Sequence, residues 1–241
     1  MHPLIEQSVA VFCDFDGTIT RRDVGDAMFQ QFGIFEPYHT DLLAGKMTVA
    51  DYYRTATLAG GDDFTPEAVE KFAGEMEMDA YFPVFYSYCR EQGIPLKILS
   101  DGFLEYIQPI LLANGINDAD VQANFLNFQK NRAEPIFPAA SENCSCFCAS
   151  CKRNCMLAAA PTDALYVYIG DGRSDTCAAS HADIIFAKGA LAAFCNERRI
   201  PHYTFHTFFD VVRIFKKIVG TKQMKHRRQA ELMRKKSVEV E

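Results

Sequence analysis

The sequence predicts an α/β fold: a doubly wound, Rossmann-like parallel sheet with a small helical cap inserted after the first strand. Three observations carry this expectation. Short apolar runs that read as buried strands alternate with helix-length segments. The three clearest runs end in carboxylates or a hydroxyl, where open α/β sheets gather their ligands. Residues 21–80, directly after the first run, carry helix signals and no strong strand.

The elements follow in order. Val9 to Phe12 is an apolar run of the kind buried in parallel sheets. It leads into Asp14-Phe15-Asp16-Gly17-Thr18. Residues i and i+2 of an extended chain share a face, so Asp14 and Asp16 converge at the strand's end. Converging carboxylates repel and call for a hard cation such as Mg²⁺, while Gly17 lets the backbone turn tightly. Ala27 to Phe32 reads as a helix. Thr48 caps another, and Thr65-Pro66-Glu67 opens a third, with proline at the first helical position and acid in the first turn. Phe82 to Gln92 is helical. Pro95 to Leu99 is a strand ending at Ser100-Asp101-Gly102, and Phe103 to Ala113 is a helix closed by Asn114-Gly115. Val121 to Phe128 and Pro135 to Phe137 suggest a short hairpin arm. Lys152 to Ala160 is helix-like. Ala164 to Ile169 is a strand ending at Gly170-Asp171-Gly172, and Asp183 to Ala187 is another, with helical residues between them. The core domain is therefore expected over 1–20 and 81–220, the cap over 21–80, and a basic tail over 221–241.

Length and charge narrow the class. At 241 residues the chain can bury a substantial core. A net charge of -6 argues against a surface built for nucleic acid. The first residues lack a basic region followed by an apolar one, and no apolar stretch is long enough for a bilayer. A cytoplasmic monomer or homodimer with no membrane partner is expected. Against that acidic body the tail is basic, with Arg227, Arg228, Arg234, Lys235 and Lys236. It reads either as an anion- or partner-binding arm or, more plainly, as a solvated terminal helix.

Nine cysteines are many for a reducing compartment. Cys13, Cys89, Cys177 and Cys195 read as buried small apolar residues. The other five crowd into Cys144 to Cys155. Three readings stand: a structural Zn²⁺ site, a redox-sensitive loop beside Lys152, or no dedicated role.

The strand ends form a constellation suited to phosphoryl transfer, which needs a nucleophile, positive charge and donors around the phosphoryl oxygens. Asp14 is the candidate nucleophile and Asp16 the candidate proton donor to the leaving oxygen. Ser100 and Lys152 would hold the phosphoryl oxygens. Asp14, Asp16, Asp171 and Asp175 are the candidate metal residues, with Asp175 supporting the others. Gly17, Thr18, Asp101, Gly102, Arg21 and Asp23 are the candidate substrate contacts.

These residues resemble the haloacid dehalogenase superfamily of phosphatases. Asp14-Phe15-Asp16-Gly17-Thr18 matches its DxDGT motif and Gly170-Asp171-Gly172-Arg173-Ser174-Asp175 its GDxxxD motif. Ser100 fits its strand-end Ser or Thr, and Lys152 its lysine. The resemblance spans about residues 9–190. It implies a phosphoaspartate on Asp14, with Asp16 as general acid and then general base. It also implies Mg²⁺ held by Asp14, the Asp16 backbone carbonyl and Asp171. The cap position is similar to that of the phosphoserine phosphatase-like branch, subfamily IB. Within it, Cys148-Ala149-Ser150-Cys151-Lys152 is similar to phosphatases acting on 2-hydroxy-3-keto-5-methylthiopentenyl-1-phosphate. Phosphoserine, pyridoxal phosphate and phosphoethanolamine are the alternative substrates, and a non-catalytic scaffold of the same fold is the alternative of another class. A Glu that phosphoserine phosphatases place after the first motif is missing here, and Asp23 stands near its place.

Overall fold

A computed structural model describes residues 8–129, 132–141, 146, 148–221 and 224–240. Strand β1 (Val9–Cys13) is buried along its whole length. Helices α1 (Val24–Gln31), α2 (Tyr38–Leu43), α3 (Val49–Leu58) and α4 (Pro66–Ala73) follow before the chain returns to the sheet through α5 (Phe82–Glu91). The caps read from sequence are in place: the side chains of Thr48 and Thr65 accept from Asp51 N and Ala68 N. The two ends of this insert lie side by side. Thr20 and Met78 form an antiparallel bridge, Arg21 N donates to Glu77 O, and Asp79 N donates to Ile19 O.

Next come β2 (Leu96–Phe103), α6 (Leu104–Ala113), β3 (Asp120–Gln129), β4 (Arg132–Ile136) and α7 (Lys152–Ala159). They are followed by β5 (Leu165–Gly170), α8 (Thr176–Ser180), β6 (Ile184–Ala187), α9 (Gly189–Glu197), β7 (Tyr203–Thr204), α10 (Phe208–Gly220) and α11 (Arg228–Val240). The strands form one sheet in the order β4-β3-β2-β1-β5-β6-β7, parallel except for β4. The chain walks outward from β1 through β2 on one side and through β5 on the other. The strand order therefore reverses at β1, where doubly wound sheets open a crevice.

Alternation along β1 shows both faces covered. Val9, Val11 and Cys13 join the core under α5, α6 and α10. Ala10 and Phe12 join a second core under α7, α8 and α9. β5 repeats the pattern, with Leu165, Val167 and Ile169 on the first side and Tyr166 and Tyr168 on the second.

The expected hairpin forms, with β3 and β4 pairing antiparallel, and because β3 also pairs in parallel with β2 it extends the main sheet. Two expectations are corrected. β2 does not stop at Leu99: it runs through Ser100 to Phe103 with a register shift, and Asn124 Nδ2 donates to Asp101 O at 2.6 Å. The basic tail is not a solvated helix. Ala230 and Arg234 on α11 are fully buried, and Arg227 donates to the carbonyls of Ala179, Ser180 and Ala182 at the end of α8. No helix among the described residues is long and apolar enough to cross a membrane.

Candidate active site

Asp14 follows β1 on the face that carries Ala10 and Phe12, the side covered by α7. Its N–H donates to Ile169 O, extending the ladder to β5 by one step. Its side chain is buried, and Oδ1 accepts from Lys152 Nζ at 2.6 Å. Lys152 opens α7 and is 3% exposed. Its ammonium has three protons, and three acceptors face it: Asp14 Oδ1, Asp175 Oδ1 at 2.6 Å and Ser174 Oγ at 3.1 Å. Burial alone would lower its pKa; Asp14 and Asp175 outweigh that and hold it well above the usual lysine range. Lys152 is therefore a fixed cation beside Asp14. Burial and the Asp175 charge push the Asp14 carboxyl up, and Lys152 opposes them.

Asp16 is held from three sides. Ser100 Oγ donates to Oδ2 at 3.0 Å, Val24 N donates to Oδ1 at 3.2 Å, and Tyr106 Oη lies 3.0 Å from both oxygens. Burial, then the nearby Asp23 charge, push its pKa up to about 7 against the bonds from Ser100 and Tyr106. A carboxyl poised there can both give and take a proton near neutral pH. Gly102 is required by this packing: a Cβ would sit 1.6 Å from Tyr106 Oη. Its N–H donates to Ser100 Oγ, which fixes the serine in turn.

The loop after β5 brings a third carboxylate. Asp171 Oδ1 accepts from Thr18 Oγ1 at 3.0 Å. Gly17 has φ +71°, and a Cβ there would meet Asp171 Oδ2 at 2.6 Å, so a bare glycine lets this carboxylate approach the first loop. Asp175 ties the loop down. Its Oδ2 accepts from Asp171 N and Gly172 N, and its Oδ1 from Tyr168 Oη and Lys152 Nζ. Carboxylate oxygens of Asp14, Asp171 and Asp175 lie within 4.8 Å of one another, the one such group of three or more acids, histidines or cysteines among the described residues. Hard oxygen donors in a buried acidic cluster fit Mg²⁺. With both Asp175 oxygens engaged by donors, its position suits support of Asp14 and Asp171 more than direct ligation.

A cavity of about 210 Å³ opens over this floor and continues beneath the insert helices, past Asp23, Asp26 and Tyr52. A family model described as haloacid dehalogenase-like hydrolase matches residues 11–180, which span the strands and loops that hold these side chains. The chain belongs to this family.

Among its relatives in this haloacid dehalogenase-like family is the 2-hydroxy-3-keto-5-methylthiopentenyl-1-phosphate phosphatase of Brevibacillus brevis. It is 30% identical over 217 residues, covering 89% of this chain and 98% of that protein. The enzyme of the same name from Geobacillus thermodenitrificans is 31% identical over 212 residues, covering 86% and 96%. A substrate-bound phosphoserine phosphatase superposes with a TM-score of 0.64 at 17% identity, covering 87% of this chain and 99% of that one. A probable phosphoserine phosphatase from Vibrio cholerae gives 0.68 at 16% identity, covering 92% and 68%. The structural likenesses establish the fold, and the family and its named relatives make the chain a phosphatase.

The structure brings Asp14, Asp16, Ser100, Lys152, Asp171 and Asp175 together, keeps Asp23, Asp101 and Gly102 on the cavity wall, and places Arg21 away from it. Arg21 is not in the site: it is well exposed and pairs with Glu77 at 3.0 Å. Thr20 turns inward to bond Phe15 O, and its neighbour on an extended crossing points outward. Gly17 and Thr18 serve Asp171, as described. Asp101 borders the cavity, but its carboxylate accepts from Ala149 N and Ser150 N, anchoring the cysteine-rich loop. Asp23 caps α1 by accepting from Asp26 N and reaches the cavity mouth. Cys144 lies outside the described residues, and the described cysteines of that run form no metal-binding group, so nothing supports Zn²⁺ there.

Sequence reasoning missed Tyr106, Tyr168, Asp26 and Tyr52. Two tyrosines, Tyr166 and Tyr168, interrupt an otherwise aliphatic run before Gly170, and Tyr168, the nearer to the strand end, is the one that reaches Asp175. Tyr106 meets Asp16 across 90 residues, which no local pattern reports.

Proposed function

We propose that the chain is a Mg²⁺-dependent phosphomonoesterase that hydrolyses a small phosphorylated metabolite through an aspartyl-phosphate on Asp14. The observation that carries this is the pairing of a buried Asp14 with the fixed cation of Lys152 at 2.6 Å, beside an Asp16 poised near neutrality. In the first step an Asp14 oxygen bonds to phosphorus, the bond from phosphorus to the ester oxygen breaks, and Asp16 gives its proton to that leaving oxygen. In the second a water attacks phosphorus, Asp16 takes the water's proton, and the bond to Asp14 breaks to release inorganic phosphate. With the phosphoryl group bound, Ser100 and Lys152 would each turn a proton from a present acceptor, Asp16 for Ser100 and Ser174 or a carboxylate for Lys152, to the phosphoryl oxygens. When bound, Mg²⁺ supplies positive charge to the phosphoryl group, and Asp14 and Asp171 would hold it, with Asp175 behind them.

Residues 21–80 act as the cap, closing over the site to exclude water and select the substrate. The bridge between Thr20 and Met78, which joins the insert's two ends, supports those limits. The relatives' names support a small organic phosphate as substrate.

Phosphate release from a panel of small phosphomonoesters, with Mg²⁺ and with EDTA, beside Asp14→Asn, tests the reading. Mg²⁺-dependent release that disappears in the folded variant is expected. A folded wild-type protein that hydrolyses nothing in the panel would favour a non-catalytic scaffold.

A further inference from the structure

Four donors meet the Asp175 carboxylate, and one of them has no part in the steps proposed above. Oδ2 accepts from Asp171 N and Gly172 N, while Oδ1 accepts from both Lys152 Nζ and Tyr168 Oη at 2.6 Å. A carboxylate offers about four lone-pair sites, so the set is full. Tyr168 lies on β5, two residues before Gly170, and is 0% exposed. Alternation along the strand turns it into the second core, where phenylalanine would fill the same space with no polar atom to satisfy. Its approach to Asp175 depends on a bare Gly170: a Cβ there would meet Tyr168 Cε1 at 3.0 Å and Asp175 Oδ2 at 2.5 Å. Tyr166, on the same face, spends its hydroxyl on Ala160 O at 2.7 Å instead.

Resting on the phosphatase reading, we propose that Tyr168 is a positioning residue: its hydroxyl shares Asp175 Oδ1 with Lys152 and so keeps the ammonium available to Asp14 and the phosphoryl group. The reasoning is a division of charge. Lys152 stands between two carboxylates, with Asp14 and Asp175 both at 2.6 Å. A phenol that donates to Oδ1 draws on the charge of that oxygen, so the second donor is held less tightly. Removing the phenol leaves Lys152 alone on Oδ1 among the described residues, and Asp175 then competes for it more strongly. Phosphoryl oxygens arriving at Asp14 would receive less of its charge, where negative charge builds in the transition state. Oδ2 is set by two backbone donors of the loop itself, so Asp171 and the metal side keep their places.

The test is the near-isosteric Tyr168→Phe in the full chain, beside Tyr166→Phe, which removes a buried hydroxyl from the same face of the same strand. Hydrolysis of p-nitrophenyl phosphate with Mg²⁺ reports the chemistry. Titration calorimetry reports binding of Mg²⁺ alone and of inorganic phosphate to the Mg²⁺-loaded protein. Tyr168→Phe should lower kcat/KM about tenfold, the scale of one hydrogen bond to a charged group. Phosphate should bind about fivefold more weakly, while Mg²⁺ affinity stays within about twofold of wild type. Tyr166→Phe should leave all of these within about twofold. A kcat/KM for Tyr168→Phe within about threefold of wild type would overturn the inference. Weakened Mg²⁺ binding with unchanged phosphate binding would overturn it too, by placing the effect at Asp171. Equal losses in the two variants would reduce Tyr168 to packing. All three of those outcomes leave the phosphatase reading standing, whereas a folded wild type that does not hydrolyse the ester would defeat that reading and the inference with it.

Discussion

Replacing Arg234 by methionine should cost this protein about 3 kcal/mol of stability. Arg234 is 0% exposed, and its guanidinium makes several contacts at once. Nη1 lies 3.1 Å from Asp183 Oδ2 and donates to His181 O at 2.7 Å. Nη2 reaches Asp183 Oδ1 at 3.3 Å, and Nε donates to Thr162 O at 3.3 Å. The guanidinium carbon stands 4.6 Å from the Tyr166 ring centre. Methionine keeps much of the apolar stem and loses all of these polar contacts. Breaking a buried ion pair from one side costs about 3–5 kcal/mol, because the other charge is stranded. Asp183 would keep the N–H groups of Tyr166 and Arg227, which argues for the low end of that range. For a chain of this length, about 3 kcal/mol lowers Tm by roughly 6–12 °C. Thermal melts followed by circular dichroism would read this directly. Adding Asp183→Asn to the variant should recover about 1 kcal/mol or more relative to additivity, since it removes the stranded charge. A loss below about 1 kcal/mol in Arg234→Met would refute the reasoning, because an undocked α11 has nothing to lose.

Three further outcomes are expected. Asp14→Asn should reduce turnover at least about 10³-fold with an unchanged melting profile; steady-state kinetics beside circular dichroism would check it. Tyr106→Phe removes one of the groups orienting Asp16 and should lower kcat about tenfold while leaving KM within about twofold. The metal-free protein should lose stability as pH rises from about 4 to 7. Burial raises Asp101 and Asp26 to about 6 and Asp16 to about 7, so the folded state binds protons more tightly than the unfolded state across that window. Mg²⁺ should consequently raise Tm more at about pH 7.5 than at about pH 5.5, and equal shifts at both would count against a carboxylate-held ion.

What the sequence discloses here depends on how local the cause is. Asp14 and Asp16 announce themselves because period-two alternation at a strand end puts both on one face, and Gly170-Asp171 repeats the cue on β5. Thr48 and Thr65 are legible as caps because the groups they satisfy lie three residues away. Lys152 is less distinct: it stands out only as a lysine at the start of a helix-like run between two strand ends, and the family resemblance strengthens that reading. Tyr106 and Tyr168 look like ordinary core aromatics, since their roles come from partners brought near by the fold. Arg21 misleads because proximity in sequence to Asp16 does not carry over to a crossing that turns its side chain outward. The tail misleads most. A run of basic residues normally means water, and what decides otherwise is Asp183, a buried acid on another element.

The narrow neck at Thr20 and Met78 separates two kinds of inheritance. Most of the site's side chains are set by the register of the sheet, with Lys152 at the start of α7, whereas the insert is joined to them by two adjacent chain passages and by the packing of α3 on β4 and of α4 on α6. An exchange of the insert at that neck would therefore have to keep the aromatic packing of Phe29 and Tyr53 on Phe103 and of Phe64 on Phe128.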